Sequence, residues 1–377
     1  MQLEMVSSIA SVSEEKWNAL AEDQPFLQHA FLHALETSQS VGQAAGWQVA
    51  HVTLSEQGAL KAAMPLYLKS HSYGEYVFDW AWANACQQAG IPYYPKLLSA
   101  IPFTPVTGHR IMAEDQSHQC LLIDGVMQFA EENELSGWHL LFADDAPEAD
   151  LLERGWLTRK GVQFHWVNRG YRDYEDFLST LRSEKRKKLK QERKKAQFDG
   201  VEIIRKTGAA ITPEDWQFFY RCYQETYLAH RSTPYLTPEF FLLLGEKMAD
   251  NCLLVLAYHQ GKPVAAALNL YDRTRLYGRY WGSVAWLPSL HFELCYHQGI
   301  EFAIERGLQV FEGGAQGEHK LARGFEAVET SSWHWLRHEG LSNAVSRFLN
   351  HERQGIGHYL DELAERAPFH SDGTVSP

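Results

Sequence analysis

Glu312-Gly313-Gly314, followed by Glu318, His319, Lys320 and Arg323, sets a glycine pair beside ionisable groups of both signs. Charged side chains are seldom buried unpaired, so this segment makes poor core. It makes a good pocket, because Gly313 and Gly314 leave the backbone open to a close-lying substrate. One reaction that this set can serve is acyl transfer to an amine, among others that move a proton beside a growing negative charge; the residues alone name no substrate. Glu318 or His319 can take the proton that the attacking amine must lose, and histidine has the ordinary pKa nearer neutrality. Lys320 or Arg323 can bind an anionic donor or stabilise the charge that grows on the carbonyl oxygen. Glu312 can orient the amine. Each has a plainer alternative: a surface histidine, solvent salt bridges for Lys320 and Arg323, and a brace for the glycine turn in Glu312.

Other residues invite similar weighing. Positions 293 and 297 of His291, Glu293 and His297 share a helical face, but 291 points elsewhere and there is no HExxH pattern. No metal site is expected. Cys222, Cys252 and Cys295 lie in aromatic or apolar surroundings that suit buried thiols. In the first half, Tyr93, Tyr94, Lys96 and Phe103 fall in a stretch rich in proline and aromatics, and His109 and Arg110 follow Thr107-Gly108. They can line an acceptor channel and contact a carboxylate or phosphate. Equally, the prolines can brace a rigid loop packed between domains.

Charge is segregated. Between Arg182 and Lys195, nine Lys or Arg stand against two Glu, a local +7 in a chain of net charge −12, so the remainder carries −19. The run is either a solvated helix face or a surface for an anionic donor, while the overall charge disfavours nonspecific nucleic-acid binding.

These groups need elements to hold them. Helical spacing of Phe292, Cys295, Tyr296, Gly299, Ile300, Ala303 and Ile304 predicts an amphipathic helix over 290–305, ended by Gly307 and followed by a strand at 308–311. Upstream, helices are expected over 14–20, 28–37, 82–88, 121–132 and 148–154, and strands over 47–54, 60–68, 138–142 and 163–168, with 91–108 as an ordered loop. A helix from Asp173 is expected to run into the basic stretch. The second half restarts with a strand at 201–205, helices entered at Thr212-Pro213 and Thr237-Pro238, a hairpin of 253–258 with 263–271, and a helix at 343–351.

Gly58 and Gly261 lie 203 positions apart, and Gly74 and Gly278 lie 204 apart, in similar strand–turn–strand surroundings. That texture points to duplication of one unit. The fold class is therefore α/β, with two tandem units, each a mixed central sheet flanked by helices. We expect a first domain over 1–170 for acceptor recognition, a basic connecting helix over 171–200, a second domain over 201–365 with the transfer cleft, and a flexible tail over 366–377. Five cysteines without CxxC spacing suit reduced thiols. The N-terminal residues lack a basic region before an apolar core, and no apolar run approaches 18 residues. Neither a signal peptide nor a transmembrane segment is expected, and the expected location is cytoplasmic.

The segment HFELCYHQGIEFAIERGLQVFEGGAQGEHKLARGF and the stretch YYPKLLSAIPFTPVTGHR resemble the FemAB-like peptidoglycan biosynthesis/recognition family, within the GNAT acyltransferase superfamily. The resemblance implies tandem acyltransferase-like (GNAT/Fem-type) domains with a ligand cleft at the second. For the broader Fem enzymes it implies aminoacyl transfer from charged tRNA to an amine on a peptidoglycan precursor. Their late Lys/Arg-Gly-Phe segment is similar to 311–325 here, with different spacing. The long coiled-coil insertion of some Fem enzymes has no counterpart, which counts against tRNA.

Acetyltransferases cradle the acetyl-CoA pyrophosphate on an Arg/Gln-x-x-Gly-x-Gly/Ala loop. Arg279, Gly282 and Ser283 resemble its first half, with a packing role as the alternative. The resulting expectation is an acyltransferase acting on an amine-bearing small molecule or cell-wall precursor. It needs no tightly bound cofactor, and acyl-CoA or aminoacyl-tRNA serves as donor. The alternatives are a precursor- or peptide-binding protein without catalysis, and an acetyl-CoA-dependent small-molecule N-acetyltransferase.

Overall fold

The computed structural model describes residues 1–144, 146–197, 200–314, 317–366 and 368–369. In chain order its strands are β1 (Gln2–Val6), β2 (Trp47–Val49), β3 (His51–Glu56), β4 (Ala59–Met64), β5 (Tyr67–Lys69), β6 (Lys96–Ser99), β7 (Met112–Ala113), β8 (Gly137–Leu140), β9 (Leu157–Val167), β10 (Val201–Thr207), β11 (Cys252–His259), β12 (Lys262–Tyr271), β13 (Arg275–Ser283), β14 (Val310–Glu312) and β15 (Glu326–Leu336). The chain divides into two compact units: Met1–Gly161 with Glu329–Tyr359, and Val162–Val328 with the chain from Leu360 onward. This differs from the division expected at 170 and 200. The boundary falls inside β9, the basic helix belongs wholly to the second unit, and 329–359 returns to the first. Of the expected tail, 367 and 370–377 lie outside the described residues.

In the first unit β1-β3-β4-β7 form one antiparallel sheet, and β2-β5-β6-β8-β15 lie side by side in another. There β6 runs parallel to β8, and β15 pairs antiparallel with β8. The β3–β4 hairpin turns at Gln57 and Gly58, both at positive φ, a conformation suited to glycine and to tight two-residue turns. Helix Gln116–Glu132 is capped by Asp115, which accepts from the His118 amide, and buries Leu122, Ile123, Val126 and Ala130 at helical spacing. These pack with Trp138, Trp156, Trp333 and Trp335 in one core.

In the second unit the strand order is β10-β11-β12-β13-β14-β9, antiparallel through β13, parallel from β13 to β14, and antiparallel from β14 to β9. Its hairpin turns at Gln260 and Gly261, again both at positive φ. Helix Pro213–Ala229 opens on a Thr212/Asp215 capping box with proline in its first turn, and buries Trp216, Phe219 and Tyr223.

The two units share a run of strand, parallel strand and antiparallel closing strand: β6, β8 and β15 in the first, β13, β14 and β9 in the second. The closing strands β9 (LTRKGVQFHWV) and β15 (EAVETSSWHWL) both have 11 residues and carry aromatic-His-Trp at the same place. Duplication is thus visible in the Gln-Gly turns and these strands. Gly74 and Gly278 are not equivalent, since Gly74 sits in a turn and Gly278 within β13.

Some expected elements differ. The stretch 91–108 holds β6, and helix Glu339–Glu365 extends far beyond 343–351. The helix from Asp173 breaks at Leu181, which is fully buried, giving Tyr174–Ser179 and Ser183–Ala196. Among the described residues no helix is long and apolar enough to cross a membrane.

Candidate functional site

β13 pairs with β14 only where Arg275, Leu276 and Tyr277 meet Val310, Phe311 and Glu312. β13 then continues to Ser283 while β14 ends, so the strands part at the carboxyl end of β14. Such points are where α/β sheets admit ligands. Gly313 and Gly314 follow immediately. The Gly313 amide donates to the Phe164 carbonyl at 3.1 Å, and a Cβ at Gly313 would stand 2.6 Å from the Phe325 ring. Gly314 has φ +86°, which favours glycine. Over this pair lies the 3-10 helix Glu318–Arg323. Lys320 points back from it, its Nζ donating to the Gly314 carbonyl at 2.8 Å. The side chain is buried, and burial pulls its amine down to about 8.

The same 3-10 helix carries His319, which shares a hydrogen bond of 2.9 Å with the Tyr296 hydroxyl. Burial, then the Arg323 and Lys320 charges, lower the His319 pKa. His291 lies 6.4 Å from His319 by ring centroids, and burial pushes it down to about 4. Tyr296 comes from a π-helical turn, Glu293–His297, set between the α-helical pieces Leu290–Phe292 and Gln298–Arg306. A π turn adds one residue to the helix and re-aims neighbouring side chains, a device common at functional sites.

That turn is pinned by the basic helix Ser183–Ala196. Arg193 donates to Glu293 at 3.0 Å and to Glu301 at 2.7 Å, and the Gln298 amide donates to Glu293 at 2.7 Å. Glu192 accepts from His297 Nε2 at 2.8 Å and from Arg323 Nε at 2.9 Å, with a second bond from Arg323 Nη2. With its Nε2 donating, His297 accepts from the Tyr174 hydroxyl at Nδ1, at 2.5 Å. Burial opposes the Glu192 charge, but the bonds from His297 and Arg323 prevail and hold its carboxyl below the ordinary range. Leu189 and Ala196 are buried on the face shared with Glu192 and Arg193, whereas Lys187, Lys190 and Lys194 are exposed on the other. The charged run is therefore neither a wholly solvated face nor a wholly ligand-facing one.

The structure sorts the candidate residues. Lys320, His319, Arg323, Gly313 and Gly314 come together. Glu318, exposed as His319 is, differs in being paired with Arg366 at 2.8 Å, which makes it a poor base for this site. Glu312 is buried and accepts from Arg275 at 2.9 Å, with His165 at 3.8 Å, so it braces the end of β14. Gly282 and Ser283 serve packing. A Cβ at Gly282 would fall 1.8 Å from the Cys222 carbonyl oxygen, and Ser283 pairs with Ala265 in the sheet. The Arg279 guanidinium lies 5.0 Å from the Tyr280 ring centre. Glu293 and His297 are engaged by the side chains just described, and burial raises the pKa of the Cys222, Cys252 and Cys295 thiols.

Five of the six first-half candidates are held by contacts within their own unit. Arg110 is fully buried and donates to the carbonyls of Leu141, His109 and Val106, closing the loop against β8. Phe103 is buried against Trp47, at φ +57°, while His109 is exposed. Lys96, fully buried on β6, donates to Ser72 at 2.9 Å, to Glu75 at 2.8 Å and to Asp79. Tyr93 donates to Asp79 at 2.6 Å, and the hydroxyls of Tyr94 and Ser72 meet at 2.8 Å. Charge pairs so deeply placed hold the loop 70–79 and leave Lys96 no exposed surface for an acceptor.

The residues missed by sequence reasoning are Glu192, Arg193, Tyr174 and Tyr296, together with Phe164 from β9. Glu192 did carry a signal, as one of two acids in the basic run.

A family model described as FemAB-like, peptidoglycan biosynthesis/recognition, matches residues 8–371. Among solved structures, FemX is similar over 92% of this chain and 100% of its own, with TM-score 0.57 at 11% identity. L-PGS from Bacillus licheniformis is similar over 87% of this chain and 98% of its own, with TM-score 0.51 at 11% identity. A conserved protein of unknown function from Bacteroides thetaiotaomicron VPI-5482 covers 89% and 100%, with TM-score 0.54 at 10% identity. At these identities the likeness is one of fold. No curated protein sequence matches.

Proposed function

The chain belongs to the FemAB-like family of peptidoglycan biosynthesis/recognition, and on that premise we propose that it transfers an acyl or aminoacyl group to an amine of a cell-wall precursor, at the parting of β13 and β14. The observation that carries this reading is Lys320, a buried amine brought down to about 8 and held over a glycine pair at a strand end. A buried lysine there costs stability and earns its place through chemistry.

The acceptor nitrogen attacks the donor carbonyl carbon. The C–N bond forms as the bond to the leaving oxygen or sulfur breaks, and the proton lost by the amine ends on that leaving atom. Lys320, protonated below about 8, donates to the carbonyl oxygen as it turns negative. His319, whose lowered pKa keeps it neutral near pH 7, takes the amine proton and returns it to the leaving group. Gly313 and Gly314 let the donor lie against the backbone. Tyr296 orients the His319 ring.

The donor is a diffusing substrate. We favour an aminoacyl ester on RNA over acetyl-CoA for two reasons. Gly282, the residue matched to the pyrophosphate loop, is taken up by packing on Cys222, and Lys187, Lys188, Lys194 and Lys195 offer exposed cations on the basic helix, where Lys190 is paired with Glu175 at 2.5 Å. Such donors place the reaction in the cytoplasm. The test is product mass from purified protein incubated with amine-bearing precursors and either aminoacyl-tRNAs or acyl-CoAs. A mass gain with aminoacyl-tRNA supports the reading. Saturable precursor binding with no product from any donor points instead to recognition without catalysis.

A further inference from the structure

The basic helix does more than present lysines. Both oxygens of Glu192 are engaged, one by His297 Nε2 and Arg323 Nε and the other by Arg323 Nη2. Arg323 in turn donates through Nη1 to the backbone carbonyl of His319 at 2.6 Å, and its guanidinium lies 3.6 Å from the centre of the Phe292 ring. Arg323, His319 and Lys320 share one short 3-10 helix of six residues, a geometry with poor internal hydrogen bonding that depends on outside support.

We infer that Glu192 is a positioning residue for the transfer site: through Arg323 it sets the height and rotation of the helix that carries His319 and Lys320. This rests on the function proposed above and adds a residue to it. Glu192 touches neither reacting group. Its bidentate hold on Arg323 fixes direction as well as distance. Without it Arg323 keeps an uncompensated charge near His319 and loses the partner that orients it, and small displacements of a reacting group carry large rate costs. Because the same helix bears the exposed Lys187, Lys190 and Lys194 on its opposite face, Glu192 also ties the cationic surface to the helix above the glycine pair.

The test compares Glu192→Gln, Glu192→Asp and the exchanged pair Glu192→Arg with Arg323→Glu in the full chain. Three readouts are used: transfer kinetics, titration of the His319 ring by NMR, assigned with His319→Gln, and amide hydrogen exchange over the 3-10 helix. For Glu192→Gln the expected result is a kcat lower by about ten- to a hundredfold with little change in donor KM. The His319 titration should also move down, since a neighbouring anion has been removed while the Arg323 cation remains. Glu192→Asp should recover part of both, and the exchanged pair should restore more kcat than either single charge reversal. Far-UV dichroism and the unfolding midpoint show that each variant is folded.

An unmoved His319 titration and unchanged kcat in Glu192→Gln overturn the inference. If wild type transfers nothing from any donor, amide hydrogen exchange over Glu318–Arg323 still decides. Faster exchange there in Glu192→Gln then upholds the role of Glu192 in holding this helix while the transferase reading fails, and unchanged exchange overturns the inference too.

Discussion

His165 and His334 occupy the same position, the ninth, in two 11-residue strands that close each other's halves. His165 of β9 pairs in register with Glu312 of β14, and His334 of β15 pairs with His139 of β8. The rings of His139 and His334 share a hydrogen bond of 2.7 Å between their Nδ1 atoms, and burial pushes His139 and His165 down to about 3. The first unit is thus completed by an aromatic-His-Trp strand from late in the chain, and the second by one from its middle. The same ladder position has diverged: in the second unit it borders a glycine pair and Lys320, in the first Trp82, Tyr93 and the Lys96–Asp79 pair.

This exchange predicts how the chain breaks. A fragment of 1–170 lacks Trp333 and Trp335, which the first core buries. Losing two such side chains removes several kcal/mol, about 3–5 for each large aromatic. Expressed alone, the fragment should show no cooperative unfolding transition by dichroism. Co-expression of 1–170 with 171–377 should restore one. A cooperative transition in the lone fragment contradicts the exchanged-strand account.

Lys320 should trade stability for function. Its amine sits at about 8 in the folded protein against 10.5 for an ordinary lysine, so the unfolded chain binds more protons between those values. Stability should therefore rise with pH across that window, and below it the folded protein bears the full cost of the buried charge, about 3 kcal/mol for a shift of this size. Lys320→Met removes that cost and one hydrogen bond worth about 1 kcal/mol. The variant should be more stable than wild type by about 1–3 kcal/mol at pH 7, by urea denaturation, with the gain shrinking as pH approaches 10. A destabilised variant at pH 7 shows that the charge is compensated.

Sequence reasoning named residues that gather around Lys320 in the second unit, and offered to a substrate a first-unit lysine that the structure buries, for reasons that lie in particular residues. The Gln57-Gly58 and Gln260-Gly261 turns were readable because alternating apolar strands flank a glycine. The helix over 290–305 was readable from its apolar spacing, but a π turn leaves no mark in that spacing, so Tyr296 stayed on the apolar face and unnoticed. Lys96 reads as loop because prolines precede it and a charge suggests solvent. Its partners Ser72, Glu75 and Asp79 lie 17 to 24 positions away, and only folding brings them to one amine. Strand β15 was hidden by its mixture of serine, histidine and tryptophan, since burial on both faces erases the alternation that marks a half-exposed strand.

Lys96 should accordingly behave as a structural anchor. Lys96→Met leaves Asp79 buried without its paired lysine and Glu75 with only Lys69 at 3.9 Å, and Glu75 is already raised to about 7, with desolvation as the largest cause. Breaking a buried pair from one side costs about 3–5 kcal/mol. A large drop in the urea midpoint is expected. A normal midpoint with weakened acceptor binding returns Lys96 to a substrate-contacting role.

Gly282 offers a check on the donor. Gly282→Ala places a Cβ against the Cys222 carbonyl and forces the helix Pro213–Ala229 away from β13. Overpacking of this kind costs about 1–3 kcal/mol or more. The melting temperature should fall, and kinetics with acyl-CoA and with aminoacyl-tRNA should suffer alike. Selective loss with acyl-CoA at unchanged stability marks a pyrophosphate site instead.

The central claim is that Lys320 stabilises the charge formed during acyl transfer, and the most direct measurement is product formation by wild type and Lys320→Met across pH 6 to 9.5, read by mass. With the donor that proves competent, wild-type kcat should fall as pH rises through about 8, where Lys320 loses its proton. Lys320→Met should be slower by about 10²–10³ at pH 7 and should lack that fall. Equal rates for the two proteins, or the same high-pH limb in both, contradict the account.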